Sequence, residues 1–177
     1  MTHAVVVYES IFGNTKAVTD AVVAALAERC EDVRAVEVGV APQRLDGEDL
    51  LLVVGGPTHA FSLSRPQTRE TAREQAGGDS VSAGIGLREW LAELEVPAGT
   101  RAAAFDTRIK KKFVPGSAAR SAEKRLRRLG VTMAAPPESF WVADVSGPLL
   151  EGERERARAW ALTLVPGPGE GGGESTP

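Results

Sequence analysis

Cysteine is almost missing from this chain: Cys30 stands alone among 177 residues. No intramolecular disulfide can form, and a single thiol agrees with a reducing compartment. Histidine is nearly as scarce. His3 and His59 are the only two, too few for a histidine-rich metal site, and no zinc-ligand spacing is present. No stretch approaches the roughly 18 apolar residues that a membrane span needs. The opening residues Met1-Thr2-His3-Ala4 enter a short apolar run with no basic segment before it, so no signal peptide is expected. The expectation is a cytoplasmic protein with no membrane partner. Walker A and Gly-x-Ser-x-Gly patterns are absent as well.

What is present is ordinary globular composition: 42% hydrophobic and 25% charged residues, enough for one domain with a sizeable core. The formal net charge of -3 gives no case for a nucleic-acid partner. Its distribution is uneven. From Arg101 to Gly130 there are ten Lys or Arg and only two acids, Asp106 and Glu123, a local balance of +8 against -11 for the remainder.

Short Val- and Leu-rich runs alternate with amphipathic stretches. His3 to Tyr8 and Asp49 to Val54 read as strands buried on both faces. Val33 to Val38 and Arg101 to Phe105 are two more, and Val131 to Ala135 with Ser139 to Val145 makes an interrupted fifth. Helices are expected from Thr15 to Arg29, where Val18, Ala21, Val22, Ala25 and Leu26 form one stripe. Further helices carry Leu87, Trp90, Leu91 and Leu94, then Ala119, Ala122, Leu126 and Leu129 behind a Ser117 cap, then Leu150, Ala157, Ala161 and Leu164. Pro42 to Leu45 is at most a short helix. Phe61 to Gly84 is irregular by pattern, with a possible helix from Pro66 to Gln75. Trp90 is expected in the core, Trp160 at a partly covered surface and Trp141 near the sheet edge. From Pro166 onward Gly, Pro, Glu and Ser predict a disordered tail, 166–177, after a domain spanning 1–165.

The order β-α-β-(α)-β-α-β-α-β-α predicts an α/β three-layer sandwich with a five-stranded parallel sheet. Strand order 2-1-3-4-5 is the common small solution, with ligands at the carboxyl ends of the strands. That rim receives the loops after Tyr8, after Val54 and after Phe105.

The first loop, Ser10-Ile11-Phe12-Gly13-Asn14-Thr15, joins a buried strand to a helix start. Unpaired N–H groups, a partial positive charge and three polar side chains suit a phosphate without Arg or Lys, and Gly13 permits the tight turn. The plainer reading is an N-cap with a tight turn, which needs one polar residue rather than three. Lys16 either contributes or points to solvent. In the second loop, Gly55 and Gly56 permit close approach to a flat ligand, and His59 and Phe61 are rings able to stack on or edge it. The third, Asp106-Thr107-Arg108, leads into Lys110, Lys111 and Lys112. These lysines are either a solvated loop or a docking patch for an acidic redox partner or a nicotinamide donor's phosphates.

The segment Val5-Val6-Val7-Tyr8-Glu9-Ser10-Ile11-Phe12-Gly13-Asn14-Thr15 resembles the flavodoxin signature, in which a Ser/Thr-x-x-Gly-Asn-Thr turn wraps the FMN phosphate. The resemblance extends to the element order of about the first 165 residues. It implies FMN as cofactor, its phosphate on Ser10, Ile11, Phe12, Gly13, Asn14 and Thr15. It also implies that the ring lies between Pro57-Thr58-His59-Ala60-Phe61 and Asp106-Thr107-Arg108. Flavodoxins commonly place a Tyr or Trp in these ring loops, and this chain has neither there. The implied function is electron transfer between a reductase and an acceptor protein. Two alternatives share the fold: an NAD(P)H-dependent oxidoreductase acting on quinones, with Ser62 to Gly84 as a covering loop, and a flavin-free interaction module. Response-regulator chemistry is excluded because strand three ends in Val54-Gly55 rather than Asp. Low-molecular-weight phosphatase chemistry is excluded because Cys30 lies far from the first loop. Gly167, Gly169 and Gly172 match a dinucleotide fingerprint but lack the flanking strand and helix.

Overall fold

The computed structural model describes residues 1–112 and 114–167. The expected tail therefore lies almost wholly outside the described residues. The strands are β1 (His3–Tyr8), β2 (Asp32–Glu37), β3 (Leu50–Pro57), β4 (Arg101–Ile109), β5 (Thr132–Met133) and β6 (Glu138–Val142). The helices are α1 (Asn14–Leu26), α2 (Pro66–Gln75), α3 (Leu87–Ala92), α4 (Ala118–Arg128) and α5 (Glu153–Thr163). All strand pairs are parallel, in the order β2-β1-β3-β4-β5, with β6 also beside β4. The interrupted fifth strand is thus two short pieces: β5 pairs with the start of β4 and β6 with its end.

Alternation along the central strands divides the core in two. Ala4, Val6, Leu51, Val53, Ala103 and Phe105 face α1 and α5. Val7, Leu50, Leu52, Val54, Ala102 and Ala104 face α3 and α4. Both faces of β3 are buried, which is why its sequence is apolar without a break. Trp160 belongs to the first core rather than to the surface. Trp160, Phe105 and Phe140 meet one another in three edge-to-face contacts, each 5.9 Å between ring centres. Trp90 is fully buried as expected, and Cys30 packs half-buried against the α1 side.

Several boundaries move. No helix forms at Pro42 to Leu45; that segment pairs with Glu95, and a single 3-10 turn at Val38–Val40 precedes it. The third and fourth strands run on past the expected breaks, because each residue still finds a neighbour: Gly55 lies beside Phe105, Gly56 beside Asp106 and Pro57 beside Thr107, while β6 satisfies the far side of β4. Gly55 and Gly56 leave room for core side chains. A Cβ on Gly55 would sit 2.0 Å from the Phe105 ring, and one on Gly56 2.8 Å from Leu87 Cδ1. Leu150 falls outside α5 and is partly exposed.

Candidate functional site

At the carboxyl edge of the sheet lies a cavity of about 450 Å³, within the range of small-molecule sites. The three expected segments meet there: Ser10, Ile11, Phe12, Asn14 and Thr15; Pro57, Thr58, His59 and Phe61; and Thr107 and Arg108. Gly13 shapes the first turn without lining the cavity.

The amino end of α1 is built around Gly13, whose φ of 93° is left-handed and costs an L-residue strain. This conformation turns the chain so that Ser10 Oγ accepts from the amides of Gly13, at 3.2 Å, and Lys16, at 3.3 Å. The amides of Ile11, Phe12, Asn14 and Thr15 donate to no acceptor among the described residues. Four N–H groups at a helix start, beside a cavity, form a cradle for an anion. Lys16 is committed to Asp20 at 2.9 Å, one turn along the helix. Thr15 Oγ1 and Thr107 Oγ1 share a buried hydrogen bond of 2.8 Å, which fixes the helix start against β4. Gly147, with φ of 100°, lies against Asn14; a Cβ there would come within 2.4 Å of Asn14 Oδ1.

The second wall is a tight hairpin. His59 and Ser62 exchange backbone hydrogen bonds of 2.9 and 3.1 Å across Ala60 and Phe61, both at positive φ. Left-handed geometry at two successive non-glycine residues is strained, and such strain gathers at ligand sites. The Phe61 ring stands more than half exposed at the cavity wall. His59 Nδ1 lies 3.1 Å from Thr68 Oγ1 on α2. Burial, followed by the Arg69 cation, pushes the His59 pKa down to about 4, so the ring is neutral at physiological pH.

The third wall departs from expectation at Asp106. Asp106, Thr107 and Arg108 belong to β4 rather than to a loop, and successive residues point to opposite faces. Asp106 is fully buried on the α4 side and does not line the cavity. Its Oδ2 accepts from the Ala119 amide at 2.9 Å, so its place is the amino end of α4. Arg108 lies over the Trp141 ring, 5.3 Å from its centre, and donates to the Gly116 carbonyl at 3.0 Å. Lys110, Lys111 and Lys112 are exposed, and Lys111 reaches the cavity lining. No Asp or Glu is among the lining residues.

Structural comparison now adds its finding. An archaeal flavodoxin superposes with a TM-score of 0.59 at 17% identity, over 93% of this chain and 96% of that one. Flavodoxin 2 from Bacillus cereus gives 0.62 at 16% identity, over 92% and 97%. The rubredoxin:oxygen oxidoreductase of Desulfovibrio gigas gives 0.57 at 15% identity, over 92% of this chain and 35% of that one. The fold is flavodoxin-like. No protein-family model matches the sequence, and no curated protein matches it.

Within this flavodoxin-like fold, further lining residues come from segments to which pattern reading gave no part in the site. The irregular stretch after Phe61 contains α2, and Thr68, Thr71, Ala72 and Gln75 form a wall of the cavity. Ile109, Val114, Val142 and Val145 add apolar surface to the lining. The helix α2 has the bounds expected for it, Pro66 to Gln75, with Pro66 at its start. Beneath the site runs a buried polar network. The Glu9 carboxylate accepts from Ser64 Oγ and from the Leu87 amide at 2.9 Å; Arg69 donates to Ser64 Oγ at 2.9 Å and to Glu89 at 3.0 Å. It ties the end of β1 to α2 and α3, and burial raises the Glu9 pKa above the usual carboxylate value. Ser82 adds a brace from outside, its amide donating to the Ser10 carbonyl at 2.7 Å and its Oγ accepting from the Ser10 amide at 2.9 Å. Among the described residues no group of His, Cys, Asp or Glu is placed to hold a metal ion, and no helix is long and apolar enough to cross a membrane.

Proposed function

We propose that this chain binds FMN noncovalently in the cavity and works as a flavodoxin-type electron carrier in the cytoplasm. The observation that carries this reading is the set of four amides, at Ile11, Phe12, Asn14 and Thr15, without an acceptor among the described residues, beside a cavity with an exposed aromatic ring at its wall. A phosphate dianion matches the amides, and Ser10, Asn14 and Thr15 add side-chain polar groups. Phe61, Ile109, Val114 and Val145 offer apolar surface to a flat ring, and the neutral His59 edges it. FMN, when bound, supplies reversible one- and two-electron chemistry. The protein's part is to hold it, to exclude water and to set the local charge.

That charge is distinctive. With Arg108 and Lys111 on the lining and no carboxylate, the site favours negative charge on a ligand. A reduced flavin anion is therefore better tolerated than in an acid-ringed site. Arg108→Glu is expected to lower the potential of the last reduction step by at least about 60 mV, a tenfold change in a one-electron equilibrium. Spectroelectrochemistry checks this, and an unmoved potential would remove the electrostatic argument. Lys110 to Lys112 at the rim would face a redox partner.

The direct test is an absorbance spectrum of the purified protein after FMN addition and desalting. A retained flavin band near one equivalent supports the proposal, and a colourless protein rejects it in favour of a flavin-free module. Saturable NAD(P)H oxidation with a quinone would identify an enzyme instead of a carrier. Ser62 to Gly84, the covering loop of that alternative, contains α2 and a connection braced by Arg73, which donates to the Ser82 and Gly84 carbonyls at 3.3 and 2.7 Å.

A further inference from the structure

The excess of positive charge has a place in the fold that the chain order does not show. Arg88 of α3 donates to the Leu63 carbonyl at 2.6 Å, to the Ser64 carbonyl at 3.0 Å and to Ser62 Oγ at 3.1 Å. It thus holds the segment just beyond Phe61. Ser62 Oγ in turn lies 2.9 Å from Ser121 Oγ on α4. Arg125 follows one helical turn after Ser121, and Arg65 follows Ser64 directly. Three arginines from three different elements are thereby gathered beside one hairpin. Burial, then the Arg125 and Arg65 cations, lower the pKa of Arg88, which agrees with their close approach. Arg120 and Lys124 extend the face along exposed positions of α4.

None of these five cations has an ion-pair partner among the described residues. The two nearby acids are already used: Glu89 by Arg69 at 3.0 Å and Glu123 by Arg127 at 2.8 Å. The opposite edge of the sheet carries the reverse sign. Asp32, Asp46, Glu48, Asp49, Glu93 and Glu95 are exposed around the amino ends of the strands, where Arg34, Arg44 and Arg101 pair with four of them and leave an acidic excess. A molecule charged this way presents its positive end to an approaching acidic surface.

We propose that Arg65, Arg88, Arg120, Lys124 and Arg125 form a docking surface for an acidic redox-partner protein, with Phe61 as its apolar anchor at the cavity edge. The redox role of that partner rests on the function proposed above. A protein fits better than a small anion because none of the five cations lines the cavity and the face runs along the outside of a helix. An exposed aromatic ring beside a charged rim is the composition of a protein interface core and its border. Docking here brings the partner to the wall that holds Phe61, beside the cavity.

The test is a titration of the full ¹⁵N-labelled chain by NMR at low ionic strength, about 0.02 M, and again at about 0.2 M. A plant-type [2Fe–2S] ferredoxin serves as acidic probe, a basic cytochrome c as control and a single-stranded oligonucleotide as polyanion. The expected result is ferredoxin binding that perturbs amides around Ser62, Arg65 and Ser121 to Arg125 and weakens at least tenfold at the higher salt. Arg65→Glu combined with Arg125→Glu should weaken it at least tenfold while FMN retention is unchanged. Arg120→Glu with Lys124→Glu is a second pair on exposed positions. Absence of ferredoxin binding, binding untouched by either pair, or tighter binding of the oligonucleotide overturns the docking surface. Ferredoxin binding by a protein that does not retain FMN keeps the surface and overturns the redox role; a yellow protein that ignores ferredoxin does the reverse.

Discussion

Among the helices that begin at the carboxyl edge of the sheet, α1 and α4 have amino ends finished in opposite ways. At α4 the protein supplies its own acceptors: Thr58 Oγ1 takes the Ala118 amide at 2.9 Å, Asp106 Oδ2 the Ala119 amide at 2.9 Å and Ser117 Oγ the Arg120 amide at 3.2 Å. At α1 one hydroxyl, that of Ser10, takes two amides, and four more have no acceptor among the described residues. The first arrangement stabilises a helix; the second leaves an end that only a ligand or water completes. An identical backbone feature is thus structural in one place and open to an anion in another. The difference is whether a side chain of suitable length stands in front of the amides.

The strongest way to break this comparison is to give α1 the acid that α4 already has. Phe12→Asp, at a partly exposed position of the turn, should weaken FMN binding at least a hundredfold, about 2.7 kcal/mol. It should leave the melting temperature unchanged or raised, since an acid at a helix start adds roughly 0.3–1 kcal/mol. Fluorescence titration and thermal unfolding measure the two halves. Gly13→Ala keeps the amides but forces an L-residue to φ 93°. It should cost about 1–2 kcal/mol of stability, read from urea unfolding, together with weaker FMN binding.

A third change sharpens the α4 side. Burial raises the Asp106 pKa above its ordinary value, with the Ala119 amide working in the other direction. The native state then holds its proton at pH values where the unfolded chain has released it. Stability attributable to this group falls as pH rises from the ordinary Asp value near 4 toward the raised native value. Asp106→Asn keeps an oxygen for Ala119 and cannot ionise. Its stability should match or exceed that of the parent protein at neutral pH and lose the slope in that window, with FMN binding unaffected. A further pH effect concerns His59. Because its native pKa is depressed to about 4, the unfolded chain binds a proton below about pH 6.5 that the folded one refuses. Stability should decline on acidification through that range, and His59→Gln should remove this part of the decline. An NMR titration of the ring near pH 4 checks the value directly.

Much of this was readable from short-range pattern. The run Val5 to Thr15 announced a buried strand, a tight turn and a helix start in that order, and all three are present. The apolar stripe from Val18 to Leu26 and the Ser117 cap were equally local. Other roles were not local. Asp106 pairs with an amide 13 residues away on the opposite face from the cavity, and only the alternation of a continued β4 decides that face. Gly55 and Gly56 make room for Phe105 and Leu87, partners that lie 50 and 31 residues distant. Trp160 was placed by its angle on a helical wheel, which says nothing of the two rings that meet it.

The sequence by itself determined the alternation of elements, the parallel sheet and the turn at Gly13, because periodicity and backbone permissiveness act over a few residues. Tertiary structure alone decided which helix end keeps its amides open, that α2 walls the cavity, and that arginines at 65, 88 and 125 share one face. Those outcomes depend on which side chains arrive from distant strands, and a local pattern records only the direction a residue faces, never what it meets there.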